Sequence, residues 1–328
     1  MEYILLIVGF VLLIKGADFF VDGSSSVAKI MHIPSIIIGL TVVAFGTSMP
    51  ELSVSVSAAL HKANELAVGN VVGSNIFNCL MVLGVSAIIV PVVTNQEVLK
   101  KEFPFSIVIA IALFVFMGGY QIQKLTAIDS AFVLTRLVGA VLLVLFIGFV
   151  YSSVRDALKA RNAHNPGAED QIEDTEEHKI LTPIKTGLYI IGGLAGIVIG
   201  GNLVVESAST IGATFGMSEN LIGLSIVAIG TSLPELVTSA VAAVKGQSDL
   251  ALGNVVGSNI FNILLILGVS SVITPIQVTT YAMYDIIILL VVSIVTFIFA
   301  KSGGKITRSE GVILVLGYIA FFIYILNR

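Results

Sequence analysis

Two glutamates lie in stretches of the chain that carry no other charge. Glu51 falls within FGTSMPELSVS at residues 45–55, and Glu235 within IGTSLPELVTS at residues 229–239. A carboxylate among apolar residues is costly unless something neutralises it, so a repeated one calls for a purpose. Each acid directly follows a proline. Pro50 has no N–H, and its ring clashes with the carbonyl four residues back, here Gly46. The helix is therefore expected to break or loosen at about 44–48, and again at about 228–232. Carbonyls from Ala44 to Ser48 and from Ala228 to Ser232 would lose their helical partners there and could face a ligand. With the two carboxylates and the hydroxyls of Thr47 and Thr231 they make an all-oxygen cage. That suits a hard cation such as Ca2+, which takes roughly 6–8 oxygens at ~2.3–2.6 Å. Neither motif contains a thiolate or imidazole, which argues against zinc and copper.

A second repeated motif, GNVVGSNIFN, adds neutral oxygens. Ser74 and Asn78 are four residues apart and share a helical face, and Ser258 and Asn262 repeat them. Asn75 and Asn259 lie about 100° around the helix and are expected to bond neighbouring backbone. Gly69, Gly73, Gly253 and Gly257 allow close helix approach. An isolated Ser or Asn in such a helix commonly just ties helices together, at around 0.6 kcal/mol. That reading does not explain Glu51 and Glu235, where acid, proline and hydroxyls recur as a set. It does fit Lys15 and Asp18, near Asp22, which at i,i+3 are expected to pair within the first helix. The repeat puts Ile199 where Lys15 stands. Cys79 reads as an inert core residue.

The elements that must position these groups are apolar helices. The chain has 328 residues, 56% hydrophobic and 12% charged, with mean hydropathy +1.02. Soluble domains carry about a quarter charged residues. A span needs about 20 mainly apolar residues, and ten candidates lie near 3–22, 35–60, 66–91, 103–121, 131–151, 186–212, 220–244, 250–275, 282–300 and 310–327. The expected class is an all-α polytopic membrane protein. The start MEYILLIVGF is acidic where a signal peptide is basic, so the first span is expected to be retained. Cys79 is the one cysteine, which excludes an internal disulfide and a thiolate metal cluster. Lys and Arg fall twelve to three in favour of the loops opposite the N-terminus. By the positive-inside rule those loops are cytoplasmic and both termini are outside.

Internal repetition organises the chain. Residues 46–52 match 230–236 at six of seven positions, and residues 66–86 match 250–270 at 17 of 21, both with an offset of 184. Between the halves is one long polar stretch, whose acidic run from Glu169 to Glu177 lacks the alternating ligands and central glycine of an EF-hand. It reads as a solvated linker. The expected organisation is a first five-helix repeat at 1–151, a cytoplasmic linker at 152–183, and a second repeat at 184–328. Five is odd, so the second repeat enters from the opposite side, with breaks expected in helices 2, 3, 7 and 8. Inverted repeats with a midplane site are an architecture of secondary transporters.

With GTSMPE, GTSLPE and GNVVGSN twice, the sequence resembles the cation/calcium exchanger superfamily, and within it the prokaryotic sodium/calcium exchanger branch. The resemblance covers essentially the whole chain and implies an ion cage between helices 2, 3, 7 and 8. It implies Glu51 and Glu235 as central ligands, with Ala44, Thr47, Ser48, Ala228, Thr231 and Ser232 around them. Ser74, Asn78, Ser258 and Asn262 would complete the cage. Some members carry aspartate at the position of Asn262; with two amides the cage has formal charge −2. The resemblance implies Na+/Ca2+ exchange, three Na+ per Ca2+, with both ions as substrates. It also implies a bilayer location, no cofactor and no nucleic acid; oligomeric state stays open. A Ca2+/H+ antiporter on the same scaffold is the near alternative. A channel would need a continuous pore rather than two broken, acid-bearing repeats. An enzyme would need a base near the serines, and His32, His61, His164 and His178 all fall in loops or the linker. Matching small residues in helices 1 and 6 imply that this pair slides past the rest, and protons should compete with cations for the two carboxylates.

Overall fold

The computed structural model describes residues 1–61, 64–118, 132–163, 181–216 and 228–327. The described chain is almost entirely helical, as the composition demands. Its helices are α1 (Glu2–Met31), α2 (Ser35–Thr47), α3 (Met49–Leu60), α4 (Leu66–Ile89), α5 (Gln96–Lys100), α6 (Glu102–Phe116) and α7 (Arg136–Ala163). There follow α8 (Pro183–Thr214), α9 (Ala228–Thr231), α10 (Leu233–Val244), α11 (Ser248–Ile273), α12 (Thr280–Ser302) and α13 (Arg308–Leu326). Among the described residues seven helices are long and apolar enough to cross a membrane, or eight if α2 and α3 count as one bent span. The two other expected spans, 103–121 and 220–244, are represented by α6 and α10, with 15 and 12 residues. Both expected ranges extend outside the described residues. So do Glu169–Glu177, His164 and His178. Helix α7 continues to Ala163, past the expected linker boundary at 151.

Two helices make the centre. The most apolar windows of α4 and α11 are 72% and 78% buried inside the protein, against 17–33% for the other single-helix spans. These are the two copies of GNVVGSNIFN, and small residues let neighbours approach their backbones. A Cβ added at Gly257 would stand 2.6 Å from the Leu40 carbonyl oxygen, so α2 lies directly on α11. The counterparts expected against Gly69 and Gly73 fall at 220 and 224, outside the described residues.

Breaks were expected in α4 and α11, but both stay helical. Each instead carries a π-helical turn, Asn78–Val82 and Asn262–Ile266, opening on the asparagine of the motif. A π-turn admits one extra residue without interrupting the helix, and such turns concentrate at functional sites. It re-aims side chains at less cost than a break, which would strand backbone groups in an apolar interior.

Short ribbons lock the sequence halves together. Strand β1 (Val92–Val93) pairs antiparallel with β4 (Lys305–Ile306), and β2 (Phe132–Leu134) with β3 (Ile276–Val278). Arginines reinforce both junctions. Arg136, the first residue of α7, donates to the Val272 and Ile273 carbonyls at 3.2 and 3.3 Å. Arg308, opening α13, donates to the Ile89 carbonyl at 3.3 Å. Each guanidinium thus satisfies carbonyls at the C-terminus of a central helix, where a cation is favoured. The long helices α1 and α8 form a separate layer packed on this core.

Candidate functional site

The expected break in the second span is confined to one residue. Helix α2 runs to Thr47, Ser48 leaves the helical region at φ −83° and ψ 6°, and α3 starts at Met49, with a bend of 48°. Ser232, between α9 and α10, has nearly the same geometry, φ −95° and ψ 6°. This is narrower than the expected loosening over 44–48. The Ala44 carbonyl keeps a partner, the Ser48 amide at 3.1 Å, and the Ser48 carbonyl accepts from Leu52 at 3.1 Å. The Ser48 carbonyl still has a second lone pair, while that of Ala44 is also approached by the Thr47 hydroxyl at 3.4 Å. In the second half the Ser232 amide donates to Ile229 at 3.1 Å instead. Pro50 and Pro234 sit in the first turns of α3 and α10, where a missing N–H costs nothing. Glu51 and Glu235 follow at the third helical position, where the helix dipole favours negative charge.

The two acids are completely buried, at 0% exposure. Each is cradled by a serine from the opposite half. Ser48 Oγ donates to Glu235 Oε1 at 3.0 Å, and Ser232 Oγ donates to Glu51 Oε1 at 2.9 Å. Longer contacts come from the same-half motif: Ser74 Oγ to Glu51 Oε1 at 3.5 Å and Ser258 Oγ to Glu235 Oε1 at 3.4 Å. Ser74 and Ser232 also meet, Oγ to Oγ, at 3.0 Å. The expected serines and acids are therefore brought into one cluster. Asn78 and Asn262 are wholly buried beside it, in π-turns packed against α10 and α3 respectively.

Four oxygens in this group have no hydrogen-bond partner: Glu51 Oε2, Glu235 Oε2, Asn78 Oδ1 and Asn262 Oδ1. The other buried side-chain atoms without a partner among the described residues are all Ser or Thr hydroxyls. Unpaired buried carboxylate and amide oxygens are costly, and here they fall on elements packed against one another, the Asn78 turn on the helix of Glu235 and the Asn262 turn on the helix of Glu51. Such a set of hard donors fits a hard cation. Among the described residues no three His, Cys, Asp or Glu side chains come together as a metal centre of another kind.

Thr47 is buried, but its hydroxyl reaches Asn254 Oδ1 at 3.0 Å, with the Val43 and Ala44 carbonyls at 3.2 and 3.4 Å. Only lone pairs remain for a ligand. Thr231 is half-buried, and Ala228 contributes the first residue of α9. Asn254 passes the contact on, donating to Ser239 Oγ at 2.9 Å, while Asn70 donates to Ser55 Oγ at 2.9 Å and the Glu51 carbonyl at 3.2 Å. This supporting layer was missed, although Asn70 and Asn254, and Ser55 and Ser239, recur at the 184-residue offset. The expected Lys15–Asp18 pair gives way to another cation. Lys245, capping α10, lies 2.7 Å from Asp18 Oδ1 and 2.6 Å from Asp22 Oδ1. Asp18 and Asp22 are one turn apart on α1, so one lysine reaches both.

The chain as a whole is similar to known proteins. A family model described as sodium/calcium exchanger protein matches residues 1–155 and 185–327. The putative antiporter CaxA of Alkalimonas amylolytica is 38% identical over 97% of this chain and 96% of its own. The sodium/calcium exchanger MaX1 of Methanosarcina acetivorans is 33% identical, covering 98% and 97%. Among solved structures, the sodium-calcium exchanger NCX_Mj superposes with a TM-score of 0.79 at 30% identity, covering 99% of this chain and 98% of that one.

Proposed function

The chain belongs to the sodium/calcium exchanger family, and on that premise we propose that it is an antiporter exchanging Na+ for Ca2+. Both ions use overlapping oxygens between Glu51 and Glu235. The observation that carries this reading is the pair of buried acids, each held by the other half's serine, with one oxygen of each acid and of each of Asn78 and Asn262 unpartnered. Two carboxylates and two amides carry −2. One Ca2+ neutralises that charge; three Na+, as the family implies, would leave +1. The empty cage would keep two buried charges uncompensated, at a cost of several kcal/mol. Only cation-loaded forms then cross readily, which couples one ion's flux to the other's.

The scaffold proposed for this cycle has ten spans in two inverted five-helix repeats, 1–151 and 184–328. The polar segment 152–183 is cytoplasmic and both termini are outside. Alternating access comes from α1 and α8 sliding on the core. The two helices are joined to each other backbone to backbone and would travel as one body: a Cβ at Gly16 would lie 2.6 Å from the Ile197 nitrogen, and one at Gly200 2.5 Å from the Leu13 nitrogen.

Radioactive calcium uptake into proteoliposomes tests the function. An outward Na+ gradient should drive uptake, and Glu51→Gln and Glu235→Gln should abolish it. Uptake driven by a pH gradient in sodium-free vesicles would select Ca2+/H+ exchange instead, and single-channel currents would select a pore.

A further inference from the structure

We propose that Asn75 and Asn259 are positioning residues that decide which end of the Asn78 and Asn262 amides faces the cation, and so set cation affinity. The inference rests on the reading of this cluster as the ion site. A primary amide has two unlike ends. Its oxygen accepts hydrogen bonds and can ligate a hard cation, whereas its NH2 only donates and would repel one. The two ends are nearly equal in size, so packing alone does not choose between them.

Hydrogen bonds make the choice here. Asn78 Nδ2 donates to Asn259 Oδ1 at 3.1 Å, and Asn262 Nδ2 donates to Asn75 Oδ1 at 2.9 Å. With both nitrogens committed, Asn78 Oδ1 and Asn262 Oδ1 are the ends left without a partner, in residues of 0% exposure. The two clamping amides are oriented in turn. Asn75 Nδ2 donates to the Asn259 carbonyl at 3.2 Å, and Asn259 Nδ2 donates to Cys79 Sγ at 3.2 Å. Each clamp therefore offers oxygen to the next nitrogen because its own nitrogen is already in use. Both clamps act across the halves.

The two clamps are unequal. Asn75 is fixed by a backbone carbonyl, Asn259 by a thiol, which is a weak acceptor. The second half carries Ile263 where the first carries Cys79, so this difference is written into the sequence. Asn259 is the looser clamp, and Asn78 the amide more readily turned. Partners that orient a metal ligand typically account for about 10–100-fold of affinity.

The test is Ca2+-dependent exchange in proteoliposomes, separating half-saturating Ca2+ from the rate at saturation. Asn259→Leu should raise half-saturating Ca2+ by about tenfold or more, with the loss falling on affinity rather than on the saturated rate. Asn259→Asp keeps an oxygen toward Asn78 and should recover most of that loss. The decisive background is Asn78→Asp, which presents oxygen at both ends and needs no clamp. Adding Asn259→Leu there should change half-saturating Ca2+ by less than about threefold, since no amide remains to orient. Should Asn259→Leu fail to fold, Asn259→Ala in the same two backgrounds asks the same question. Unchanged calcium saturation in Asn259→Leu, or an equal loss in the Asn78→Asp background, overturns the clamp. Glu51→Gln separates the two readings: normal saturation in that variant removes the ion site itself, whereas its loss beside an indifferent Asn259→Leu removes only the clamp.

Discussion

The central helices α4 and α11 and the outer pair α1 and α8 solve opposite problems with similar small residues. In the centre, polar side chains interlock across the halves: serine to glutamate, asparagine to asparagine, threonine to asparagine. In the outer pair, glycines bring backbone against backbone with little side chain between them. The first arrangement holds donors in place, because moving one group leaves others unsatisfied in a low-dielectric interior. The second fits α1 closely to α8 and ties those two helices into one layer. On the proposed cycle the centre holds the donors to the ion while the joined pair α1 and α8 moves over it.

Breaking the centre should have the largest effect. Removing one charge from a buried, compensated set costs about 3–5 kcal/mol, on the order of a hundredfold or more in affinity. Glu51→Gln and Glu235→Gln should each lose calcium-dependent exchange to that extent, while circular dichroism and gel filtration stay normal. Equal effects from both are expected, since each acid has one close and one longer serine contact. A variant that exchanged normally would mean that the cluster is only a structural knot.

The outer pair should fail differently. Gly16→Leu or Gly200→Leu forces a side chain into backbone at under 3 Å, and overpacking costs about 1–3 kcal/mol. If α1 and α8 move during exchange as one closely joined pair, prising them apart should lower the rate by about tenfold or more, the scale of ~1.4 kcal/mol on a barrier. Half-saturating Ca2+ should stay near the wild-type value. Unaltered transport in a folded Gly16→Leu protein would sink the sliding model and leave the cage intact.

Acid sharpens the comparison less drastically. Glu51 and Glu235 are the acids of the central cluster, so protons should compete with cations there and not at the glycine interface. Half-saturating Ca2+ should rise as pH is lowered from about 8 to 5, with the saturated rate much less affected. The same shift should be smaller in Glu51→Gln, where Glu235 is the remaining titratable ligand. A rate and affinity indifferent to pH over that range would contradict carboxylate ligation.

The centre was partly legible in the sequence because duplication writes each important residue twice. Glu51 and Glu235, their prolines and the GNVVGSNIFN asparagines could be picked out on that basis alone. Which serine meets which acid could not. Ser48 and Glu51 spell S-x-x-E, as do Ser232 and Glu235, a spacing that locally reads as a helix capping box. Neither serine makes that cap; each turns to the acid of the other half. Local spacing carries no information about a contact 187 or 181 residues away. The π-turns were illegible for another reason. One extra residue in a turn leaves the apolar pattern intact, so a helix with a π-turn and a helix with none look alike in sequence. Breaks were expected there, and the helix widened instead. At the prolines, the missing N–H predicted a break correctly but overstated its length, because Ser48 alone absorbs the change.

The smallest expected effect lies where the two regions meet. Lys245 at the end of α10 holds Asp18 and Asp22 of α1, and also donates to the Asp18 carbonyl at 3.0 Å. Its side chain is 18% exposed and the two acids 34% and 31%, so water screens the pair. Exposed ion pairs are worth only about 0–1 kcal/mol. Lys245→Gln keeps a donor but removes the charge, and should change the exchange rate by no more than about fivefold, consistent with that range. The direction is informative. If the pair resists the displacement of α1, the variant should be faster, and raising salt should quicken the wild type while leaving Lys245→Gln unmoved, since exposed charges are screened within about 8–10 Å at physiological ionic strength. A slower variant would mean that the lysine guides α1 back to one position rather than restraining it. No change at any ionic strength would mean that this ion pair has no part in how α1 and α8 travel over the core.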